Sequence, residues 1–169
     1  ALAHELPRAV IFACDLSSKA LQVAKGNADR LGMKHRVEFI EGDLLAPFLE
    51  RLVGSMDFVV SNPPYIGSEE LKTLQPEVRD REPRLALGGH ETCEEIYRRL
   101  IPEAQQVLKP GAHLLLEIGS TMEQTVFDLF GEGWTQPRVS KDLRGLPRVI
   151  SACKQGNASV LASGNPAHG

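Results

Sequence analysis

The sequence predicts an α/β protein built on a doubly wound, mostly parallel β-sheet with an antiparallel strand at its C-terminal side. Short apolar, β-rich runs alternate along the chain with segments whose apolar residues recur at helical spacing. Polar residues follow three of the predicted strands, at Asp15, Asp43 and Asn62. Open sheets of this class bind ligands at the carboxyl ends of their strands, so these positions predict a binding site.

Apolar runs and turn residues define the predicted elements. The strands are expected at 9–14, 36–40, 56–60, 113–118, 134–142 and 148–153, the last two around one turn. Helices are expected at 1–6, between a cap at Ser17 or Ser18 and a stop at Gly32, at 93–108 behind a Thr92 and Glu95 capping box, and at 121–130 behind Ser120 or Thr121. A shorter amphipathic stretch covers 47–53.

Length and composition favour one globular domain with a hydrophobic core, because 42% of the 169 residues are hydrophobic and 24% are charged. A net charge of −3 argues against a long nucleic-acid footprint. Three scattered cysteines without a Cys-x-x-Cys pair predict reduced thiols in a cytoplasmic protein and no metal site. The sequence has no apolar run of transmembrane length and no signal peptide pattern at its first residues.

The segment Asn62-Pro63-Pro64-Tyr65 directly follows the predicted strand 56–60 and is the strongest functional signal. The Asn62 side-chain oxygen and the Pro63 carbonyl can accept the two N–H groups of a planar amide or of a base amine. Such acceptors favour a nitrogen that becomes positive during methyl transfer. The prolines restrict the backbone and so hold both acceptors, while Tyr65 offers a flat face. The alternative interpretation is that the segment only ends a strand and begins a loop.

Asp15 and Asp43 are candidate nucleoside ligands. Asp15 stands at the end of the first predicted strand, where related folds place an acid that accepts the ribose hydroxyls. An isolated aspartate before a helix is more usually a cap, so both interpretations of Asp15 stay open. Gly42-Asp43 alone would form a turn.

The chain resembles the S-adenosylmethionine-dependent amino-methyltransferases, whose signature [D/N/S]-P-P-[Y/F/W] matches residues 62–65. It is more closely similar to the release-factor glutamine methyltransferases of the HemK or PrmC group. That resemblance rests also on Glu-Pro-Arg-Leu-Ala-Leu-Gly-Gly at 82–89 and on Glu-Ile-Gly at 117–119. The match lapses at 91–93, where the family has Asp-Gly, and at 147–148, where Pro-Arg replaces Asp-Arg.

The resemblance implies a Rossmann-like fold of the class I methyltransferase type and S-adenosylmethionine as the methyl donor. It further implies methylation of a glutamine side-chain amide in the Gly-Gly-Gln loop of a class-one peptide chain release factor. Asp15 would hold the ribose, and Asp43 with Leu44 would hold the adenine. Asn62 would lie beside both methyl donor and substrate, and Pro63, Pro64 and Tyr65 would complete the catalytic and substrate site.

Two other hypotheses remain open. The Asn-Pro-Pro-Tyr geometry also serves adenine N6-methylation in DNA or RNA, which requires a basic groove and a flipped-base pocket. The chain could also be a catalytically incompetent fragment of such a domain. The family's Gly-rich cofactor loop and its small helical domain would lie before Ala1, so we expect residues 1–155 to be a truncated catalytic domain that binds S-adenosylmethionine poorly. Residues 156–169 are expected to form a disordered tail.

Overall fold

A computed structural model describes residues 1–64 and 92–156 of the chain. The predictions that concern Tyr65, the segment 82–89 and the tail after residue 156 lie outside the described residues. No helix in the two described ranges is both long enough and apolar enough to cross a membrane.

Strands and helices alternate as predicted. The helices are α1 (Leu2–Glu5), α2 (Ser18–Arg30), α3 (Cys93–Val107) and α4 (Glu123–Phe127), with 3₁₀ turns at Lys34–Arg36 and Ala46–Phe48. The strands are β1 (Ile11–Asp15), β2 (Val37–Glu41), β3 (Met56–Ser61), β4 (Leu108–Glu117), β5 (Arg138–Lys141) and β6 (Pro147–Cys153).

The strand pairing confirms the α/β class with an antiparallel C-terminal strand. Strand β1 pairs in parallel with β2, and β3 pairs in parallel with β4. Strand β6 lies antiparallel between β4 and β5, giving the order β3-β4-β6-β5. The described strands form a two-stranded and a four-stranded sheet, and no ladder among them joins β1 to β3.

Three helix boundaries follow their sequence signals. The N–H of Ala20 donates to Ser17 Oγ at 3.2 Å, so Ser17 caps α2, and Gly32 follows the helix with a φ of +68°. Thr92 and Glu95 form the predicted capping box, in which each side chain accepts the other's backbone N–H. Local polar signals were therefore sufficient to place these ends.

Three boundaries differ from the sequence prediction. The predicted caps of α4 at Ser120 or Thr121 are wrong, because the N–H of Met122 donates to the Gly119 carbonyl in a turn that precedes the helix. Strand β5 starts only after Pro137, which has no N–H to give to a ladder. Strand β4 begins at Leu108, before the strand predicted at 113–118, and its pairing register shifts between Met56 and Phe58 of β3.

Helix α3 and the four-stranded sheet form the core. The apolar face of α3 is buried against β4 and β6, in a cluster that includes Tyr97, Leu100, Ile101, Ala104, Val107, Leu114, Leu116 and Ile150. Although the strand at 56–60 is an apolar run, only Val59 of β3 is buried. Phe58 and Val60 alternate with Val59 onto the other face and are 59% and 53% exposed.

Leu114→Ala should lower the free energy of unfolding by about 2–5 kcal/mol, because it removes a fully buried side chain from the centre of the core. Leu143→Ala is the matched control, since the same substitution at this fully exposed loop residue should stay within about 0.5 kcal/mol. Urea unfolding of both variants measures the difference. Equal losses would contradict this assignment of the core.

Candidate active site

The carboxyl ends of paired parallel strands carry the predicted site residues. Asp15 ends β1 opposite Glu41, the last residue of β2. In the other sheet, Ser61 ends β3 opposite Leu116 of β4, and Asn62 follows Ser61 directly. This arrangement is the one in which open α/β sheets bind ligands.

Asp15 stabilises the local backbone, whether or not it also binds a ligand. Its Oδ1 accepts the Ser17 N–H at 2.7 Å, which shapes the turn into α2. Its backbone carbonyl accepts the Gly42 N–H at 3.1 Å and so joins the two strand ends. The residue is exposed, and its carboxylate remains accessible at the sheet edge.

The loop from Gly42 to Leu45 has a tightly constrained backbone. A Cβ on Gly42 would lie 2.2 Å from Pro47 Cγ, so only glycine fits there. Leu44 has a φ of +46°, which is unusual for a residue with a side chain, and it is half-buried against the core. The loop therefore holds one defined shape that is fixed by its surroundings.

Helix α3 supplies two side chains that hold this loop. The guanidinium of Arg99 pairs with Asp43 Oδ2. One helical turn further along, Glu103 Oε2 accepts the Leu45 N–H at 2.9 Å. The adenine-binding acid predicted from sequence is thus anchored by an element that lies more than fifty residues away in the chain.

Cys14 marks the place where the two candidate carboxylates come together. Its thiol donates to the Gly42 carbonyl at 3.3 Å. Burial raises the pKa of the Cys14 thiol, and the negative charges of Asp15 and Asp43 raise it further. The structure therefore brings Asp15 and Asp43 to one thiol, which is kept protonated at neutral pH and is unsuited to act as a nucleophile.

Asn62 leaves β3 as predicted and is exposed, whereas the following Pro63 is buried and Pro64 is half-buried. The following proline restricts the backbone of Asn62, and the exposed side-chain amide is open to a substrate. Tyr65 lies outside the described residues. That Asn62 faces the same cleft as Asp15 and Asp43 stays a prediction.

The backbone around Glu117 has a structural role. Its carbonyl accepts the hydroxyl of the buried Tyr97 at 2.8 Å. The next residue, Ile118, donates its N–H to the Arg148 carbonyl at 2.9 Å. Arg148 in turn pairs with Asp142 at 3.3 Å. An acid and an arginine are therefore in contact here, although Pro147 stands where the family has an aspartate.

Sequence reasoning missed Gly42 as a steric requirement and Arg99 and Glu103 as loop anchors. The four-residue spacing of Arg99 and Glu103 on α3 indicates one helical face, but it gives no sign of their partners. Only the packing of α3 beside the loop identifies those partners.

Asp43→Asn should increase the alkylation rate of Cys14 at pH 8 by about twofold or more, because removing a nearby negative charge lowers the thiol pKa and raises the thiolate fraction. Mass spectrometry of the Cys14 peptide after timed iodoacetamide treatment measures this rate. Cys153, on β6, is the internal control and should react at the same rate in both proteins. An unchanged Cys14 rate would contradict the proximity of the two groups.

Curated relatives share substantial identity with the chain. The release factor glutamine methyltransferase of Koribacter versatilis is 42% identical over 149 residues, which cover 88% of this chain and 51% of the relative. The protein of the same name from Moorella thermoacetica is 49% identical over 128 residues, covering 76% of this chain and 44% of the relative. The chain spans about half the length of the curated relatives it matches.

Solved structures share the fold at low sequence identity. TrmN from Thermus thermophilus superposes with a TM-score of 0.62 at 22% identity, over 90% of this chain and 39% of that one. A methyltransferase from Pyrococcus furiosus gives a TM-score of 0.63 at 18% identity, over 92% of this chain and 67% of that one. Residues 1–156 match the model of a family described as methyltransferase domain, so the chain belongs to the methyltransferase domain family.

Proposed function

We propose that this domain methylates the side-chain amide nitrogen of a glutamine in a peptide chain release factor, with S-adenosylmethionine as methyl donor. The observation that carries the proposal is the 42% identity, over 88% of the chain, to a protein named release factor glutamine methyltransferase. The exposed Asn62 beside the buried Pro63 supports it, because an amide substrate needs a fixed acceptor that it can reach from outside. Residues 1–155 would form the catalytic domain.

The residues at the ends of β1 and β2 suit a nucleoside. Neighbouring strands lie about 4.8 Å apart, so Asp15 and the loop after Glu41 are spaced for the ribose and base of one nucleoside. Asp15 would accept the ribose hydroxyls, and Asp43 would accept the adenine amino group. Leu44, which is half-buried, would pack on the face of the base. A donor set of two carboxylates and one apolar side chain fits S-adenosylmethionine.

When bound, the donor would supply a methyl group on a positively charged sulfur. Transfer to the amide nitrogen would leave neutral S-adenosylhomocysteine, and the nitrogen would release one proton to water. Asn62 would accept one N–H of the glutamine amide through its side-chain oxygen, and the Pro63 carbonyl would accept the other. Both acceptors gain strength as the nitrogen becomes positive, so they stabilise the transition state more than the ground state. The two prolines would hold the acceptors in place before the substrate binds.

The partner implied by this reaction is a class-one release factor, and the reaction would take place in the cytoplasm, where release factors act. Pro64 and Tyr65 would line the substrate side of the site. The net charge of −3 supports a protein substrate over a long nucleic acid. Adenine methylation in DNA or RNA remains the alternative that the substrate test below must exclude.

Asn62→Ala should lower kcat by a factor on the order of 10²–10³, because one preorganised acceptor is lost from the transition state. The change in kcat is measured with saturating release factor and tritiated S-adenosylmethionine, using the protein that contains these residues. Asn27→Ala is the matched control, since Asn27 lies exposed on α2 and contacts Arg30 only locally. Unchanged kcat in Asn62→Ala would show that Asn62 merely ends β3.

Substrate choice is tested with three acceptors for the tritiated methyl group. Label should appear on a release factor and be absent from the same factor with the glutamine of its Gly-Gly-Gln loop replaced. DNA, the third acceptor, should remain unlabelled. Label on DNA, or label retained by the replaced factor, would overturn the glutamine assignment.

A further inference from the structure

We propose that Arg99 and Glu103 of α3 are positioning residues that set the affinity and the base selectivity of the cofactor site by holding Asp43 and Leu44 in place. This inference rests on the proposed function, because it assumes that the loop after β2 receives an adenine. Arg99 and Glu103 do not themselves touch the base. Their contacts fix the positions of Asp43 and Leu44, which would touch it.

The first step is that the two anchors flank Leu44. Arg99 holds the side chain of the residue before it, through Asp43 Oδ2, and Glu103 holds the backbone of the residue after it, through the Leu45 N–H at 2.9 Å. Residues four apart lie on the same side of a helix, so one edge of α3 faces the whole loop. Leu44 is thereby fixed from both directions.

The second step is that the anchors stabilise an unfavourable backbone conformation. Leu44 has a φ of +46°, in the left-handed region that side chains with a Cβ disfavour. Such a conformation persists where the surrounding contacts determine it. Without the Glu103 contact the loop would relax towards ordinary dihedral angles, and Leu44 would lose the orientation in which it could cover a base.

The third step concerns the carboxylate. The hydrogen bond from Arg99 engages Oδ2 of Asp43, and in the described parts of the chain no hydrogen bond reaches Oδ1. This charge-assisted hydrogen bond holds Oδ2 towards α3 and so orients the carboxylate. Oδ1 is then aimed to accept one N–H of an exocyclic amine. A base that carries a carbonyl at that position would instead be repelled by the charge.

The fourth step is that α3 is rigid enough to act as a support. Leu100 and Ala104, which each follow one of the anchors, are at most 1% exposed. Both anchors therefore project from a helix segment that is fixed in the core. Arg98 provides a contrast on the same helix, because it is exposed and pairs along the surface with Glu94, four residues earlier.

The test measures binding of two probes by calorimetry, S-adenosylhomocysteine and S-inosylhomocysteine, which carries a carbonyl in place of the amino group. The unaltered protein should prefer the adenine probe. Arg99→Ala should weaken binding of that probe about tenfold, the scale of one lost hydrogen bond to a charged group, and leave the inosine probe nearly unchanged. Arg98→Ala, the matched control, should keep both affinities. A general loss of structure would weaken both probes together and would not change the preference.

Glu103 is tested by a conservative pair of variants. Glu103→Gln keeps an oxygen that can accept the Leu45 N–H and should retain most of the affinity for S-adenosylhomocysteine. Glu103→Ala removes the acceptor and should lower the affinity, and hydrogen exchange at the Leu45 amide should accelerate in this variant only. Equal affinity in Glu103→Ala and the unaltered protein would overturn the role of Glu103.

The outcomes separate the two proposals. Failure of the whole protein that contains these residues to bind S-adenosylhomocysteine overturns the proposed function and this inference with it. Binding by the unaltered protein, with the same base preference in Arg99→Ala, overturns the inference alone. If Arg99→Ala does not fold, Arg99→Met decides the question, because methionine keeps much of the side chain's packing and removes the donor to Asp43 Oδ2; an unchanged preference in that variant overturns the role of the guanidinium.

Discussion

The packing of α3 in the core is the constraint on which the arrangement of the site depends. Its apolar face is buried against the four-stranded sheet, while Tyr97 fixes the end of β4 and Arg99 fixes the loop after β2. No ladder joins the two sheets in the described residues, so their relative position relies on such side-chain contacts. Phe48 adds another, since it is buried in the same core and meets the ring of Phe12 on β1 at 6.0 Å. A helix that shifted would therefore move the strand ends of both sheets.

Features specified by neighbouring residues could be predicted from the sequence. The capping box at Thr92, the stop at Gly32 and the exit of the chain at Asn62 each depend on residue types within a few positions of one another. The parallel pairing also follows from local patterns, because alternating strands and helices leave few ways to bury both faces of a sheet. The candidate acids at 15 and 43 were placed at strand ends by the same reasoning.

The rest depends on contacts between distant segments. Nothing near Asp43 in the sequence indicates Arg99, and the restriction on Gly42 arises only when Pro47 folds back over it. Strand β4 extends back to Leu108, before the strand predicted at 113–118, through a pairing with β3 that shifts register there. The exposure of Val60 likewise could not be inferred from its apolar character, because it depends on whether a distant element covers that face of β3.

The two halves of the proposed site, around Asn62 and around Asp43, are made rigid by different means. This difference explains why the constraint on the first could be predicted from the sequence and the constraint on the second could not. Around Asn62 the constraint is covalent, since two prolines restrict the backbone that carries the acceptors. Around Asp43 the constraint is tertiary, since a distant helix holds a strained loop. Under the proposed function the first half meets the nitrogen that reacts and the second meets the base that only binds. Substitutions in the core beneath α3 should then lower the affinity for the cofactor first. The backbone geometry at Asn62 should change less, because the adjacent prolines restrict it.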